Sequence, residues 1–325
     1  MYKRRRLAMP SLPTRPDDSD TAVAGSRFST IGASAFYRGQ ISVDENSTAI
    51  IFATDAQLRL LTSAHLIYMD STFRVVPSLY YQLFTVFVPH ADYSFPAFYA
   101  VMTRKTKDLY VAVMRMISQL APDFQLTQVI ADFEEAATST VLEVFGADVV
   151  IPGCWFHYAQ ALVKGRHMRK LGLTDACKSD VETSTAIIFR CLLCLPLLPV
   201  GDVQPACAEV SALLTNDSPS KPAMSQLLRY VSRQWLQKPS IGPARLSVRD
   251  DPSRTNNALE SFHSALGRRV KVAHPNLFTF LAHLQRTTTN NETEIQRLDR
   301  GLRIRRAKKR SNLMNDARIK VCINR

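Results

Sequence analysis

A mixed α/β fold with an all-helical stretch set into it is the class that the sequence predicts, and three observations predict it. Three runs rich in Val, Tyr, Phe and Ile follow one another with short links, at 65–76, 80–89 and 95–103. Helical periodicity then alternates with short apolar runs, the order expected of a mixed sheet with covering helices. From Thr174 to about Gln237 strand signals fade and helical ones dominate, as in ETSTAIIFRCLLCL and PAMSQLLRYVSRQWL.

Taken in order, residues 1–45 are rich in Ser, Pro, Asp and Gly with little periodicity, which predicts a disordered or linker segment. AIIFATDAQLRLLTSA reads as a short apolar segment followed by a small helix. The three strand runs come next, as an antiparallel meander. LYVAVMRMISQLAP (109–122) carries apolar residues at helical spacing and ends at Pro122. QLTQVIADFEEA gives a short buried strand over 125–132 and a helix from about Glu134. VVIPGC (149–154) is a further strand, with WFHYAQALVKGRHMRKLGL as the helix behind it. PSRTNNALESFHSALGRRV (252–270) opens on a Pro- and Asn-rich turn and becomes a helix. The segments expected are therefore 1–45, a core part 46–173, a helical insertion 174–240, a second core part 241–285 and a basic tail 286–325.

The chain has 325 residues, 46% of them hydrophobic, which is enough to bury a real core. No apolar run reaches the ~18–20 residues needed to span a bilayer, so no membrane partner is expected. The basic start MYKRRR lacks the apolar stretch of a secretory signal. The six cysteines, at irregular spacing, suit reduced thiols inside a cell better than a disulfide scaffold. The net charge of +13 lies at the ends: residues 296–325 hold eleven Lys/Arg against Asp299 and Asp316, and Lys3, Arg4, Arg5 and Arg6 supply the rest. KRRR (3–6) and RIRRAKKR (303–310) suit nuclear import or contact with nucleic-acid phosphates. Arg303, Arg305, Arg306, Lys308, Lys309 and Arg310 are accordingly the expected DNA-binding cations. A plain solvated tail is the alternative.

The acids carry the chemistry. Asp70 interrupts the strand IYMDSTFRVVP, and Asp132 ends the strand VIAD; a buried carboxylate is costly unless paired, turned outward or bound to metal. Asp132 also reads as a helix N-cap. Glu260 borders the apolar stripe Leu259, Phe262, Leu266 and Val270, on one face with His263. Brought together, Asp70, Asp132 and Glu260 would suit two hard cations, Mg²⁺ or Mn²⁺, of the kind that drive phosphodiester chemistry.

The motifs MDSTFRVVP, YYQLFTVF, VIADFEEAA, GCWFHYAQAL and RTNNALESFH, in that order from about Ile50 to His263, resemble the transposase domain of Mutator-like elements (MULE). The resemblance implies a ribonuclease H-like mixed five-stranded sheet flanked by helices, with an all-helical insertion before the last catalytic helix. It implies Asp70, Asp132 and Glu260 as the catalytic, metal-holding triad, with two Mg²⁺ or Mn²⁺ ions as cofactors and no small-molecule cofactor. It implies DNA cleavage and strand transfer by a homo-oligomer bound to element ends. Cys154 and His157 match the family's Cys-x-x-His pair and, with Asn257 and His263, are supporting candidates. Ser71 stands where the family commonly has Gly. No Cys precedes Cys154, and only Cys322 follows Cys207, so a zinc-binding DNA-recognition module is not expected within these residues.

Other readings stand beside these. A domesticated or inactive derivative would bind DNA or protein without cutting. A proofreading-type exonuclease would want an acid where Thr72 stands. Cys191 and Cys194 lie in an apolar run and read as packing, not zinc ligands. Trp235, beside Arg233 and Lys238, reads first as core and second as a base-stacking residue. Asn256 and Asn257 suit the turn and N-cap of the Glu260 helix, and Glu134 and Glu135 the first turn of theirs.

Overall fold

The computed structural model describes residues 11–163, 166–178, 183–215, 220–249, 257–304 and 314. Among them the amino-terminal stretch is not a linker. It forms helix α1 (Ser19–Ala24), a small hairpin of β1 (Thr30–Ile31) with β2 (Ser34–Ala35), and strand β3 (Tyr37–Asp44). β3 has little apolar periodicity because it lies at a sheet edge. Its pairing with β4 (Ser47–Phe52), every residue of which is buried, supplies the order that its own composition does not. Asp44 turns the hairpin by accepting from the Asn46 N–H at 2.8 Å.

The chain continues through α2 (Asp55–Thr62), β5 (Leu66–Thr72), β6 (Gln82–His90), β7 (Tyr93–Met102), α3 (Lys107–Leu120), β8 (Gln128–Ile130) and α4 (Glu135–Phe145). The sheet has six strands in the order β3-β4-β7-β6-β5-β8. β5, β6 and β7 are the expected antiparallel meander, and β3 and β4 extend it past β7. The fifth strand expected over 149–154 is reduced to isolated parallel bridges, Gln128 with Val150 and Ala131 with Gly153. Pro152 has no N–H to give a ladder there. The sheet is thus mixed and six-stranded rather than five-stranded, with β8 added beside β5 at the end of the meander.

The backbone divides into two compact units: Met1–Val129 with Glu134–Val150 and Asn257–Ile304, and Ile130–Phe133 with Ile151–Asn256 and Arg305–Arg325. In the first unit, alternation along the strands gives each sheet face its own cover. Phe84 meets Tyr110 of α3 edge-on at 5.5 Å, and Gln82 Nε2 donates to the Tyr110 hydroxyl at 2.8 Å. The opposite face, with Ile50, Phe52, Leu83, Tyr99 and Val101, packs on the last two helices of this unit.

The second unit is helical: α5 (Trp155–Val163), α6 (Arg166–Lys170), α7 (Thr174–Lys178), α8 (Ser184–Cys194), α9 (Val200–Ala212), α10 (Lys221–Val231) with a π-helical turn at Ser232–Leu236, and α11 (Gly242–Leu246). Tyr158, Leu162, Leu192, Leu227 and Trp235 are among its core residues. Tyr158 donates to the Leu192 carbonyl and Trp155 Nε1 to the Leu193 carbonyl, both at 2.8 Å. The helical unit therefore takes in α5 and α6 as well as the expected insertion, because their apolar stripe finds its partners there.

The closing helices, α12 (Asn257–Val270) and α13 (Leu277–Asp299), belong to the first unit. α13 runs well into the stretch expected to be tail. Asn276 caps it by accepting from the Thr279 N–H at 2.9 Å, and Leu277, Phe278, Phe280, Leu281 and Leu284 form its buried stripe. No helix among the described residues is long and apolar enough to cross a membrane.

Candidate active site

Asp70 lies on β5, an interior strand, opposite Thr85 of β6. Its side chain is only 8% exposed. Oδ1 accepts the Ser71 N–H at 2.8 Å, and Oδ2 faces His263 Nδ1 at 3.4 Å. This is the buried carboxylate that the sequence suggested, and it has acquired a hydrogen-bond donor and an imidazole instead of solvent.

His263 is delivered by α12. Leu259, Leu266 and Val270 are buried, and Phe262 sets its ring 5.1 Å from Phe87 and 6.1 Å from Tyr99. That packing fixes the helix against the sheet, and the residue after Phe262 points to the end of β5. Position 260 is three residues earlier, on the same helix face as His263. The side chains of Glu260 and Asn257 lie outside the described residues.

The Thr85 hydroxyl and His263 Nε2 are among the buried polar atoms of this unit that have no partner among the described residues. Buried polar groups are ordinarily satisfied by protein, water or ligand. Thr85 is the cross-strand neighbour of Asp70 and His263 faces its carboxylate, so the three form a polar spot on an otherwise apolar sheet face. Thr85 escaped the sequence reading. Its only signal was a polar residue at the inward step of the apolar run LFTVF.

Asp132 follows β8 by two residues and belongs to the segment Ile130–Phe133 of the second unit. It is not the N-cap of α4; Glu134 takes that place. Within its own unit the backbone at Asp132 is tied down by groups that the sequence did not flag. Arg245 Nη2 donates to the Asp132 carbonyl at 2.8 Å, and its guanidinium lies 5.4 Å above the Phe133 ring. The Gly153 N–H donates to the Arg245 carbonyl at 2.7 Å. A Cβ on Gly153 would fall on the Phe133 ring and that same carbonyl oxygen, so this close approach requires glycine. The Gly before Cys in VVIPGC was the one available hint.

Among the described residues no three His, Cys, Asp or Glu side chains are grouped closely enough to hold a metal ion. Cys154 is fully buried and His157 half-buried on α5. Cys191 packs against the helical core, whereas Cys194 is exposed and not packed as expected. Leu192 and Leu195 take the inward positions and turn the last residue of α8 outward. Trp235 is 4% exposed, with Phe133 at 4.7 Å and Tyr158 at 4.9 Å, both edge-on. Its core reading is the one observed, and the ring has no open face on which a base could stack. Glu134 does more than open a helix: it sits 3.5 Å from the Tyr110 hydroxyl and 4.0 Å from Lys105 Nζ. Arg303 is exposed, and Arg305, Arg306, Lys308, Lys309 and Arg310 lie outside the described residues.

No disulfide joins the described cysteines, and their surroundings set an order of reactivity. Burial pushes the Cys177 thiol up to about 11 and raises that of Cys207 as well. Since access and thiolate content both set the rate, iodoacetamide at pH 8 is expected to alkylate Cys194 first among the described cysteines and the buried Cys154, Cys177 and Cys207 last. Peptide mass spectrometry over a time course reads this directly. Raising the pH from 7 to 9 should leave Cys177 largely protonated and slow to react.

No family model and no curated protein sequence matches the chain. Among solved structures it is similar to the Drosophila P element transposase strand transfer complex, with a TM-score of 0.37 and 11% sequence identity over 75% of this chain and 82% of that one.

Proposed function

We propose that this chain is the catalytic domain of a DNA transposase of the Mutator-like kind. In this reading it carries out divalent-cation-dependent phosphoryl transfer on DNA, with Asp70, Asp132 and Glu260 holding two Mg²⁺ or Mn²⁺ ions. The observation that carries the reading is Asp70. A nine-tenths buried carboxylate on an interior strand, on the face covered by the helix of Glu260, has a cost that metal binding repays. The chain order of a first-strand Asp, an Asp just past β8 and a Glu on a late helix supports the same assignment.

The reaction has two steps of one kind. A water oxygen attacks phosphorus at the element end, and the bond to the 3′-oxygen breaks and leaves a 3′-hydroxyl. That hydroxyl then attacks a phosphodiester of target DNA and displaces a second 3′-oxygen. Cations held by the carboxylates supply Lewis-acid stabilisation of the phosphate oxygens. The protein's part is positional. β5 holds Asp70 rigidly, His263 orients its Oδ2, the Ser71 N–H fixes Oδ1, and Arg245 and Gly153 fix the backbone at Asp132. The basic clusters at 3–6 and 303–310 would engage phosphates, and nuclear import and assembly into a homo-oligomer on DNA belong to the same proposal.

The test is cleavage of a plasmid by the full chain in Mg²⁺ or Mn²⁺, with and without EDTA. Asp132→Asn is expected to lose the cation-dependent nicking. Full activity in that variant overturns the triad. Salt-sensitive DNA binding with no Mn²⁺ bound by calorimetry would instead mark a derivative that binds without cutting.

A further inference from the structure

Two aromatic rings stand in solvent at the end of β5. Phe73 is 42% exposed and Tyr81 48% exposed, and their centroids are 5.2 Å apart in an edge-on pair. Tyr81 is fixed at the start of β6 by its N–H to the Met102 carbonyl at 2.8 Å. Phe73 follows Thr72, the last residue of β5, and is three residues from Asp70. Exposing two large rings side by side forgoes the burial that Tyr68, Phe84, Phe87, Phe95, Phe98 and Tyr99 of this sheet obtain, and such a patch marks an interaction site.

The surroundings say what kind of partner it fits. The stretch 73–81, FRVVPSLYY, contains Arg74 and no acid. The last turn of α12 and the loop after it, GRRVKVAHPN (267–276), contain Arg268, Arg269 and Lys271 and no acid. The two stretches are neighbours: the His274 N–H donates to the Arg74 carbonyl at 3.3 Å, and His274 Nδ1 lies 3.2 Å from the Val76 carbonyl. Arg74, Arg268, Arg269 and Lys271 are exposed; among the described residues Arg268 donates to Ser264 of its own helix and Arg269 to Thr287. An aromatic pair rimmed by cations, with no carboxylate on either segment, is complementary to a strand whose bases can stack and whose phosphates need neutralising.

We infer that Phe73 and Tyr81 form a stacking platform for an unpaired base of DNA, with Arg74, Arg268 and Lys271 on the flanking phosphates. This deepens the proposed function and rests on it, since it says which form of DNA end reaches the strand that carries Asp70. A frayed or overhanging end offers the open base face that a blunt duplex keeps within its stack.

The experiment uses the full chain in EDTA, so that cation chemistry plays no part. Fluorescence anisotropy compares a blunt duplex with the same duplex carrying a short single-stranded overhang, with 2-aminopurine in the overhang as a stacking probe. The overhang should bind more tightly and quench the probe. Phe73→Ala with Tyr81→Ala should weaken overhang binding about tenfold or more and leave the blunt duplex unchanged. Phe73→Leu with Tyr81→Leu, which keeps apolar bulk and removes the ring face, should behave the same way and guards against a folding defect. Arg74→Ala should weaken both duplexes and reduce the salt slope by about one. Equal affinity for both duplexes, or an unchanged overhang preference in the Leu variant, overturns the platform. A shift from dimer to monomer in that variant, with DNA binding intact, overturns it in favour of a contact between copies. A chain that prefers overhangs through these rings and never cuts fails the proposed catalysis alone. One that cuts with blunt and overhanging ends bound alike fails only the platform.

Discussion

Asp70→Asn is expected to reduce divalent-cation-dependent DNA cleavage by at least about a hundredfold while leaving the thermal unfolding of the chain almost unchanged. The substitution keeps the shape of the side chain and the acceptor for the Ser71 N–H, 2.8 Å away in the native chain. What it removes is the negative charge between an imidazole and an apolar sheet. Residues that only orient a metal ligand cost about 10–100-fold in metal affinity or activity when replaced, and a direct ligand costs no less. The structural cost is small because an amide is easier to bury than a carboxylate. Mn²⁺ affinity by calorimetry and nicking of supercoiled plasmid are the two readouts. If both match the wild-type chain, Asp70 is a buried acid paired with His263 and nothing more.

Trp235→Ala carries the second large effect, on stability. The indole sits between the edges of Phe133 and Tyr158 in the core of the helical unit and is 4% exposed. Truncating a buried Trp leaves a cavity and forfeits those contacts, for a loss of about 3–5 kcal/mol. The expected result is a markedly lower unfolding midpoint for the helical unit by calorimetry or urea titration. Single-stranded DNA affinity, measured where the variant is still folded, should not change. A stacking residue would behave in the opposite way, with affinity lost and stability kept.

Legibility followed the source of each element's order. The meander β5–β6–β7 announced itself because Val, Phe and Tyr crowd strands buried on both faces. β3 stayed hidden because its partner β4, not its composition, holds it at the edge. The strand expected at 149–154 failed through Pro152 and Gly153, whose backbone serves a bridge to Ala131 and a bond to Arg245. The part of α13 beyond residue 285 reads as tail because it is polar, yet it continues a helix whose first half is anchored by Phe278, Phe280 and Leu284.

The candidate site divides in the same way. Asp70 was legible because a carboxylate in an apolar run has no cheap explanation, and His263 because it shares a helix face with Glu260. Thr85, Gly153 and Arg245 were not, because each acts through a neighbour that lies far off in sequence: Thr85 across a strand pair, Gly153 against the Phe133 ring, Arg245 on the Asp132 carbonyl.

By itself the sequence determined the α/β class, the meander and a helical stretch after it, and it singled out the acids as candidates, since all of these follow from local periodicity and the cost of a misplaced charge. Tertiary structure alone decided that β3 is a strand, that Trp235 belongs to a core, that His263 faces Asp70 and that Phe73 and Tyr81 stand exposed. Those outcomes depend on which distant residues arrive beside them, and one-dimensional order carries no record of that.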